Sequence, residues 1–226
     1  MESILAEASS THNLEETHAF WDHYSRAVTD HYKVDGFCKT VRHLALRFGN
    51  IDYLEIGSNK GLSMGLVCGL LKNAGASGAM VSVDPYFEGG YLEHGINRRI
   101  DKTTKAIATA FYLRRNLTVE LIEQPSRTGL TQLIKQDRRF HLVYVDGSHN
   151  WLDPMIDFSL ATCLTRECGV IMLDDLGLPE IRPVADFVAT HLPLIHDSRR
   201  LRCFEWHSKR VFEEEYRQTS ERLAEE

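Results

Sequence analysis

The stretch VYVDGSHNW, residues 143–151, joins an apolar run to a polar cluster. Apolar and aromatic residues in succession are typical of a strand buried on both faces, whereas the aspartate, glycine, serine and histidine that follow suit a turn beyond its end. A second apolar run, in GVIMLDDL at 169–176, also ends in acidic residues. The two segments are either ordinary strand ends or the two halves of one site.

Apolar runs of strand length alternate with amphipathic stretches of helical period along most of the chain. The runs lie at 51–56, 79–84, 117–123, 140–146 and 169–174, and the helical patterns lie at 61–73, 97–115, 127–137, 152–165 and 179–191. This alternation predicts right-handed crossovers and a parallel sheet, and therefore a doubly wound α/β fold. The last two runs, in LPLIHD and RLRCFEWHS, are joined by too few residues for a parallel crossover, so they predict an antiparallel pair.

The chain before residue 51 has a different pattern, with apolar residues at three-to-four spacing from 14 to 48. It predicts two helices with a break near residues 34–36. We therefore divide the chain into an N-terminal helical extension (1–50), one core α/β domain (51–208) and a charged C-terminal helix (209–226). The apolar N-terminal helices suggest a homodimer.

Composition limits the classes of function. The 226 residues are 43% hydrophobic, enough to bury a full core, and the net charge of −6 offers no general basic surface for nucleic acid. Apolar runs stay below the length of about 18 residues that a membrane span needs, and the N-terminus lacks a signal-peptide pattern. Five cysteines without C-x-x-C spacing are typical of buried thiols in a reducing compartment. We expect a cytoplasmic protein with no nucleic-acid or membrane partner.

The ends of the first two predicted strands carry the residues of a nucleotide site, because ligands in such sheets bind beyond the carboxyl ends of the strands. LEIGSNKG at 54–61 places Glu55, Gly57 and Gly61 in an E-x-G-x-x-x-G pattern, in which glycines let backbone approach a ligand closely. Asp84, in MVSVDPY, is placed to accept hydrogen bonds from ribose hydroxyls. The G-x-G-x-x-G pattern of dinucleotide oxidoreductases fails here, since Glu55 stands at its first glycine.

The third predicted strand ends in LIEQPSR, which offers Gln124 and Ser126 as partners for the edge of a base. Ser126 is the better candidate, although both residues could instead cap the following helix. The turn at 54–61 is also explained by strand-to-helix geometry alone. The combination of that turn with Asp84 is what indicates a nucleotide-type ligand.

Four segments together, YLEIGSNKG, VDPY, VYVDGSHNW and GVIMLDDL, resemble class I S-adenosylmethionine-dependent methyltransferases. In particular they are similar to the branch that includes metal-dependent sugar O-methyltransferases of macrolide biosynthesis, over about residues 51–206. The resemblance implies a Rossmann-like, mostly parallel sheet of seven strands whose last two form a hairpin. It makes 51–208 the S-adenosylmethionine-binding catalytic domain.

The resemblance also implies roles for individual residues of the donor site. Those that would contact S-adenosylmethionine are Glu55, Gly57, Ser58 and Gly61 at the methionine half, Asp84 at the ribose, Ser126 near adenine and Asp146 at the cofactor edge. Three positions depart from the family pattern: Trp151 replaces a tyrosine, Cys168 replaces a glycine, and QPS at 124–126 stands for GDS. The adenine contacts are therefore less well defined than the ribose contacts.

Three carboxylates, Asp146, Asp174 and Asp175, are expected to converge if the fourth and fifth strands are neighbours. No lysine or arginine lies near them in sequence, so a cation would be needed to offset their repulsion. Oxygen ligands of this kind suit Mg²⁺, and the resemblance implies that ion at the matching positions. Alternatively, Asp146 orients the cofactor's amino group, and Asp174 or Asp175 caps the next loop.

His149 follows Asp146 by three residues, and Gly147 permits a tight turn that can direct the imidazole into the same cleft. The resemblance places a general base at this position. A histidine can remove the proton of a hydroxyl whose pKa a bound Mg²⁺ ion lowers, and the oxygen can then attack the sulfonium methyl group. Asp146 and His149 are therefore the candidate catalytic residues.

The function that we expect is O-methylation of a small-molecule hydroxyl, on a sugar or secondary metabolite, with Mg²⁺ assistance. One alternative is a metal-independent methyltransferase of the same fold that acts on nitrogen or a carboxylate. Another is a catalytically inactive nucleotide-binding module that works through its N-terminal helices. The clustered acids argue against the inactive module, because binding alone does not require them.

Overall fold

The computed structural model describes residues 31–58, 62–85, 118–150 and 152–208. Three predicted helical segments lie outside these residues: the part of the N-terminal pattern before residue 31, the helix at 97–115, and the C-terminal helix at 209–226.

Within the described residues, strands and helices alternate as the hydrophobic pattern predicts. The strands are β1 (Tyr53–Ile56), β2 (Ala79–Val83), β3 (Thr118–Ile122), β4 (Phe140–Val145), β5 (Thr165–Leu173), β6 (Leu194–Asp197) and β7 (Arg202–Glu205). The helices are α1 (His31–Phe48), α2 (Leu62–Asn73), α3 (Ser126–Lys135), α4 (Asp153–Leu164) and α5 (Arg182–Ala189).

The seven strands form one sheet in the order β3-β2-β1-β4-β5-β7-β6. The first five strands are parallel, and β7 is antiparallel to both β5 and β6. The doubly wound, mostly parallel sheet with an antiparallel C-terminal hairpin is thus confirmed. The direction of winding reverses between β1 and β4, and ligands bind at such a reversal in open α/β sheets.

Helices cover both faces of the sheet and bury its central strands. On one face, α1 and α2 pack over side chains that include Tyr53, Tyr144 and Met172. On the other face, α3, α4 and α5 pack over Leu54 and Val143 among others. Every residue of β1 and β4 is buried, which explains why both strands appear in the sequence as nearly continuous apolar runs.

Helix α1 runs without interruption through residues 34–36, so the predicted break there is wrong. Gly36 lies inside the helix because that position faces the C-terminal hairpin at close range. A Cβ atom at Gly36 would be 2.4 Å from Cδ2 of Leu201 and 3.1 Å from Cδ2 of His196. The glycine therefore permits close packing and does not end a helix.

The apolar face of α1 packs on its own chain. Phe37, Val41 and Leu44 are all buried in the core beneath the sheet. These residues are among those whose apolar character suggested a homodimer, and the homodimer stays a prediction.

Strand β5 begins earlier than its apolar run. It starts at Thr165, whereas the sequence pattern predicts a start at residue 169. Arg166 and Glu167 are exposed, so this part of the strand has no apolar signature. Cys168 has a φ of +60°, a conformation that glycine adopts more readily, in agreement with the glycine of the family pattern.

Two further predictions concern membrane-spanning helices and the cysteines. No described helix is both long and apolar enough to cross a membrane. All five cysteines are free thiols, and Cys68 and Cys203 are buried as expected. Cys163 is exposed, contrary to the expectation of burial.

Candidate active site

The acidic residues after β4 and β5 lie side by side because the two strands pair in register. Val145 is opposite Leu173, and the backbone N–H of Asp174 donates to the carbonyl of Val145 at 3.1 Å. The N–H of Asp146 donates to the carbonyl of Ile56 in the same way, at 2.9 Å. Hydrogen bonding thus continues one residue beyond the sheet and fixes the position of both acids.

Tyr144 connects the first two carboxylates. It lies two residues before Asp146 on β4, and side chains two residues apart on a strand share a face. Its hydroxyl donates a hydrogen bond to Asp146 Oδ2 at 2.9 Å and also contacts Asp174 Oδ2. Burial and the two carboxylates raise the pKa of Tyr144 well above its usual value, so the hydroxyl keeps its proton. Phe37 of α1 packs edge-on against the ring, with centroids 4.9 Å apart.

Lys33 of α1 supplies a positive charge to the same carboxylates. Its ammonium nitrogen lies 3.5 Å from Asp146 Oδ2 and also contacts Asp174 Oδ2. Burial disfavours the charged ammonium, but Asp146 and Asp174 outweigh it and raise the pKa of Lys33 above its usual range. The acids have no basic residue near them in sequence, but the fold brings Lys33 to them from α1.

The carboxylates differ in their preference for a proton. Burial raises the pKa of Asp146 and of Asp174, and Lys33 partly offsets that increase in both. The pKa of Asp175 is instead lowered, chiefly by its hydrogen bond with His149. Asp175 is thus the carboxylate of this group that is most readily ionised.

His149 and Asp175 form the outer pair of the site. His149 Nε2 lies 3.1 Å from Asp175 Oδ2. Asp175 has a φ of +52°, and its backbone N–H donates to Asp174 Oδ1 at 2.7 Å. This left-handed turn directs the Asp175 side chain towards His149, while Asp174 points inward to Lys33. Left-handed backbone at a non-glycine residue is often found at functional sites.

Three described residues lie close enough together to hold a divalent cation, and two of them, Asp146 and Asp175, are among the predicted ligands. One ligand atom from each of Asp146, His149 and Asp175 lies within 4.8 Å of the others. Two carboxylates suit a hard ion such as Mg²⁺, and imidazole broadens the choice to transition metals. Asp174, the third predicted ligand, has a fully buried side chain whose two oxygens already bond within the protein.

The turn after β1 lies against the acidic edge. Gly57 has a φ of +82°, and its N–H donates to the carbonyl of Val83 at 3.0 Å. The next N–H, that of Ser58, donates to Asp84 Oδ2 at 2.8 Å. The predicted methionine-side turn and the predicted ribose acid are therefore joined by a direct hydrogen bond. Gly61 lies outside the described residues.

Glu55 is buried beneath that turn and accepts two hydroxyl hydrogen bonds. Ser58 Oγ donates to it at 2.8 Å, and Ser63 Oγ contacts the other carboxylate oxygen. Burial raises the pKa of Glu55 to about 7, although both serines favour the ionised form. The carboxyl group is thus poised to ionise near neutral pH. Ser63, on α2, was not singled out from the sequence.

Ser126 is the first residue of α3 and lies near a buried acid. The N-cap is Pro125, which makes no side-chain capping bond. Asp157, on α4, has a pKa raised to about 6 by burial, against the opposing effect of the Ser126 hydroxyl. The serine thus faces a carboxyl group that the sequence reasoning missed.

The four missed residues differ in the signal that they carry. Tyr144 precedes Asp146 by two residues on a predicted strand, so strand alternation could have placed the two side chains together. Lys33, Ser63 and Asp157 lie on helices, and nothing in their local sequence distinguishes them from ordinary helix residues.

A family model described as a methyltransferase domain matches residues 54–176, which is more than half of the chain. The chain belongs to this methyltransferase family. The match begins in β1 and ends just beyond Asp175, so it contains the turn, Asp84 and all three clustered acids. A comparison with curated proteins gives no match.

Solved methyltransferase structures share the fold. The structure of CalS11, described as a TDP-rhamnose 3'-O-methyltransferase of calicheamicin biosynthesis, has a TM-score of 0.57 and 15% identity, covering 76% of this chain and 78% of its own. The O-methyltransferase NovP has a TM-score of 0.59 and 13% identity, with 78% and 80% covered. The O-methyltransferase from Bacillus cereus in complex with SAH has a TM-score of 0.53 and 18% identity, with 87% and 92% covered. The predicted class I methyltransferase is thus confirmed in family and fold.

Proposed function

We propose that this methyltransferase transfers the methyl group of S-adenosylmethionine to a hydroxyl of a small molecule, such as a sugar or a secondary metabolite. The observation that carries the proposal is the backbone contact between Gly57 and Asp146, which holds the donor turn beside the acidic edge. Solved O-methyltransferases with this fold support both parts of the proposal: one is described as a TDP-rhamnose 3'-O-methyltransferase, which supports an oxygen acceptor, and another is in complex with SAH, which supports the donor.

The donor would lie along the strand ends from β1 to β3. Asp84 would accept hydrogen bonds from the ribose hydroxyls, as an acid at the end of the second strand does in nucleotide-binding sheets. The turn at Gly57 and Ser58 would approach the methionine half, and the buried Glu55 carboxylate beneath it would attract the donor's amino group. Ser126 would lie near adenine, and Asp146 would face the cofactor edge.

The acceptor would lie beside His149, and the imidazole would accept the proton of the acceptor's hydroxyl group. Asp175, 3.1 Å from His149 Nε2, would stabilise the imidazolium that forms. The acceptor oxygen then bonds to the methyl carbon as the carbon–sulfur bond breaks, which leaves S-adenosylhomocysteine. Alignment of the reacting atoms and exclusion of water are the remaining contributions of the protein.

A Mg²⁺ ion would be held by Asp146, Asp175 and the further predicted ligand Asp174, where it would lower the pKa of the acceptor hydroxyl. The alternative is a metal-independent enzyme of the same fold that acts on nitrogen or a carboxylate. The contact of Lys33 with two of the acids favours this alternative, because it supplies a cation from within the chain.

The test is product mass spectrometry. The protein is incubated with S-adenosylmethionine and separate panels of sugars and nucleotide sugars, phenols and vicinal diols, amines, and carboxylates. We expect a hydroxyl compound to gain the mass of one methylene unit, with equimolar S-adenosylhomocysteine formed. EDTA should lower the rate and Mg²⁺ should restore it. Methylation only of amines or carboxylates, indifferent to EDTA, would establish the alternative instead.

A further inference from the structure

Asp174 cannot serve Lys33 and a metal ion at once. Its Oδ1 accepts the N–H of Asp175 at 2.7 Å, and its Oδ2 contacts both the Lys33 ammonium and the Tyr144 hydroxyl. A metal ion bound to Oδ2 would need the position that the ammonium group holds. An ammonium group beside a dication would also be repelled strongly in a half-buried site.

The contact with Lys33 reaches a second predicted ligand. Asp146 Oδ2 lies 3.5 Å from the same ammonium nitrogen, so one cation contacts both acids. Asp175 instead pairs with His149. Within the described part of the chain, the cation that contacts Asp146 and Asp174 thus comes from α1.

The backbone next to Lys33 is closely packed, whereas the Lys33 side chain is partly exposed. Phe37, one turn further along α1, packs on the Tyr144 ring, and Gly36 packs against Leu201. The Lys33 side chain itself is 25% exposed. A lysine has a long flexible stem, so a change of rotamer alone can withdraw the ammonium group towards solvent.

We propose that Lys33 is a positioning residue that competes with a divalent metal ion for Asp174 and Asp146. With the ammonium group in place, Asp174 is closed to metal. When a metal ion binds, Lys33 withdraws and Asp174 becomes a ligand. The inference rests on the proposed function in that the metal belongs to the acceptor site, and it deepens that function by naming the residue that sets metal affinity.

The test measures Mn²⁺ binding directly, by calorimetry and by the EPR signal of free Mn²⁺, without methyl donor or acceptor. Lys33→Gln should bind Mn²⁺ at least about tenfold more tightly than the wild type, since a unit charge a few Å from the ion is removed. The matched control is Lys39→Gln, which removes a charge from the same helix where Lys39 pairs with Asp35 at 2.8 Å. Its Mn²⁺ affinity should equal that of the wild type.

A double variant separates competition from simple charge repulsion. In Lys33→Gln/Asp174→Asn the gain in affinity should disappear, because it comes from freeing the Asp174 carboxylate. A gain that persists in the double variant overturns the proposal, as does an unchanged or weaker affinity in Lys33→Gln alone. Absence of Mn²⁺ binding in both the wild type and Lys33→Gln also overturns it.

The single variant could also unfold when its acids lose their counter-charge. In that case, recovery of a cooperative melting transition on addition of Mn²⁺ supports the proposal, and a variant that stays unfolded at saturating Mn²⁺ overturns it. Failure of the proposed function has a different signature, which is absence of methylated product and of S-adenosylhomocysteine while Mn²⁺ binding follows the pattern above.

Discussion

Gly57 and Asp146 are in direct backbone contact: a Cβ atom on Gly57 would lie 2.1 Å from the carbonyl oxygen of Asp146. The two residues follow neighbouring strands, β1 and β4, at the point where the winding of the sheet reverses. The turn expected to hold the methyl donor is therefore fixed against the acids expected to bind the acceptor. A shift of one would displace the other.

Gly57→Ala should destabilise the protein strongly. The added Cβ meets backbone that cannot move without disturbing β4, and the φ of +82° adds strain. We expect the free energy of unfolding in urea to fall by more than about 2 kcal/mol. The control is Gly75→Ala, which has a φ of +63° but open space around the Cβ position, and should lose about 1 kcal/mol. Equal losses in the two variants would contradict the contact.

Asp84→Asn should weaken the binding of S-adenosylhomocysteine by roughly 10- to 100-fold, the worth of a charged hydrogen bond. Asparagine keeps an oxygen that can accept the N–H of Ser58, so the turn should remain intact. Isothermal titration calorimetry measures the affinity. Asp137→Asn, on an exposed turn, serves as the control and should bind normally. Unchanged affinity in Asp84→Asn would exclude Asp84 from the donor site.

Donor affinity should depend on pH through Glu55. Its pKa is about 7 in the free protein, and only the ionised carboxylate attracts the cationic amino group of S-adenosylhomocysteine. Affinity should therefore rise with pH by up to about tenfold per unit below pH 7 and level off above it, since the ionised fraction rises in that way. Calorimetry between pH 5.5 and 8 tests this range, in which the ligand amine stays charged.

The same titration in Glu55→Gln should show no such rise. Glu120→Gln changes an acid on β3 that pairs with Arg138, and its pH profile should match that of the wild type. A profile in Glu55→Gln that still rises through pH 7 would assign the dependence to another group.

His149→Ala should lower kcat by about 10²- to 10⁴-fold, the usual contribution of a general base, while leaving the affinity for S-adenosylhomocysteine unchanged. His191→Ala is the control, because His191 lies just beyond α5, is partly exposed, and bonds only locally to Thr190 and Phe187 among the described residues. Full activity in His149→Ala would remove this residue from the mechanism. A loss that excess Mg²⁺ repairs would make His149 a metal ligand.

The sheet was predictable from the sequence because buried strands leave apolar runs. The order of β4 and β5 follows from that pattern together with the usual winding of such sheets, and it brings Asp146 and Asp174 together as expected. The start of β5 was not predictable, since Arg166 and Glu167 face solvent and carry no apolar signal. A hydrophobic pattern reveals buried residues, so it does not reveal an exposed part of a strand.

The acids of the site were predictable, but their charge balance was not. Asp146, Asp174 and Asp175 directly follow strands β4 and β5, and the carboxyl ends of neighbouring parallel strands lie at the same edge of a sheet. Lys33 reaches them from a helix more than a hundred residues earlier, and helical period alone does not say which residue faces the end of a distant strand. Gly36 shows the same limit. The sequence alone does not distinguish a glycine that allows close packing with the hairpin from a glycine that ends a helix.

The helix that carries Lys33 lies outside residues 54–176, where the family match is found. The matched part of the chain therefore contains the acids, while the lysine that contacts them belongs to a segment outside the match. A chimera in which α1 is replaced by a helix without a lysine at position 33 would change the charge beside Asp146 and Asp174 without altering either acid.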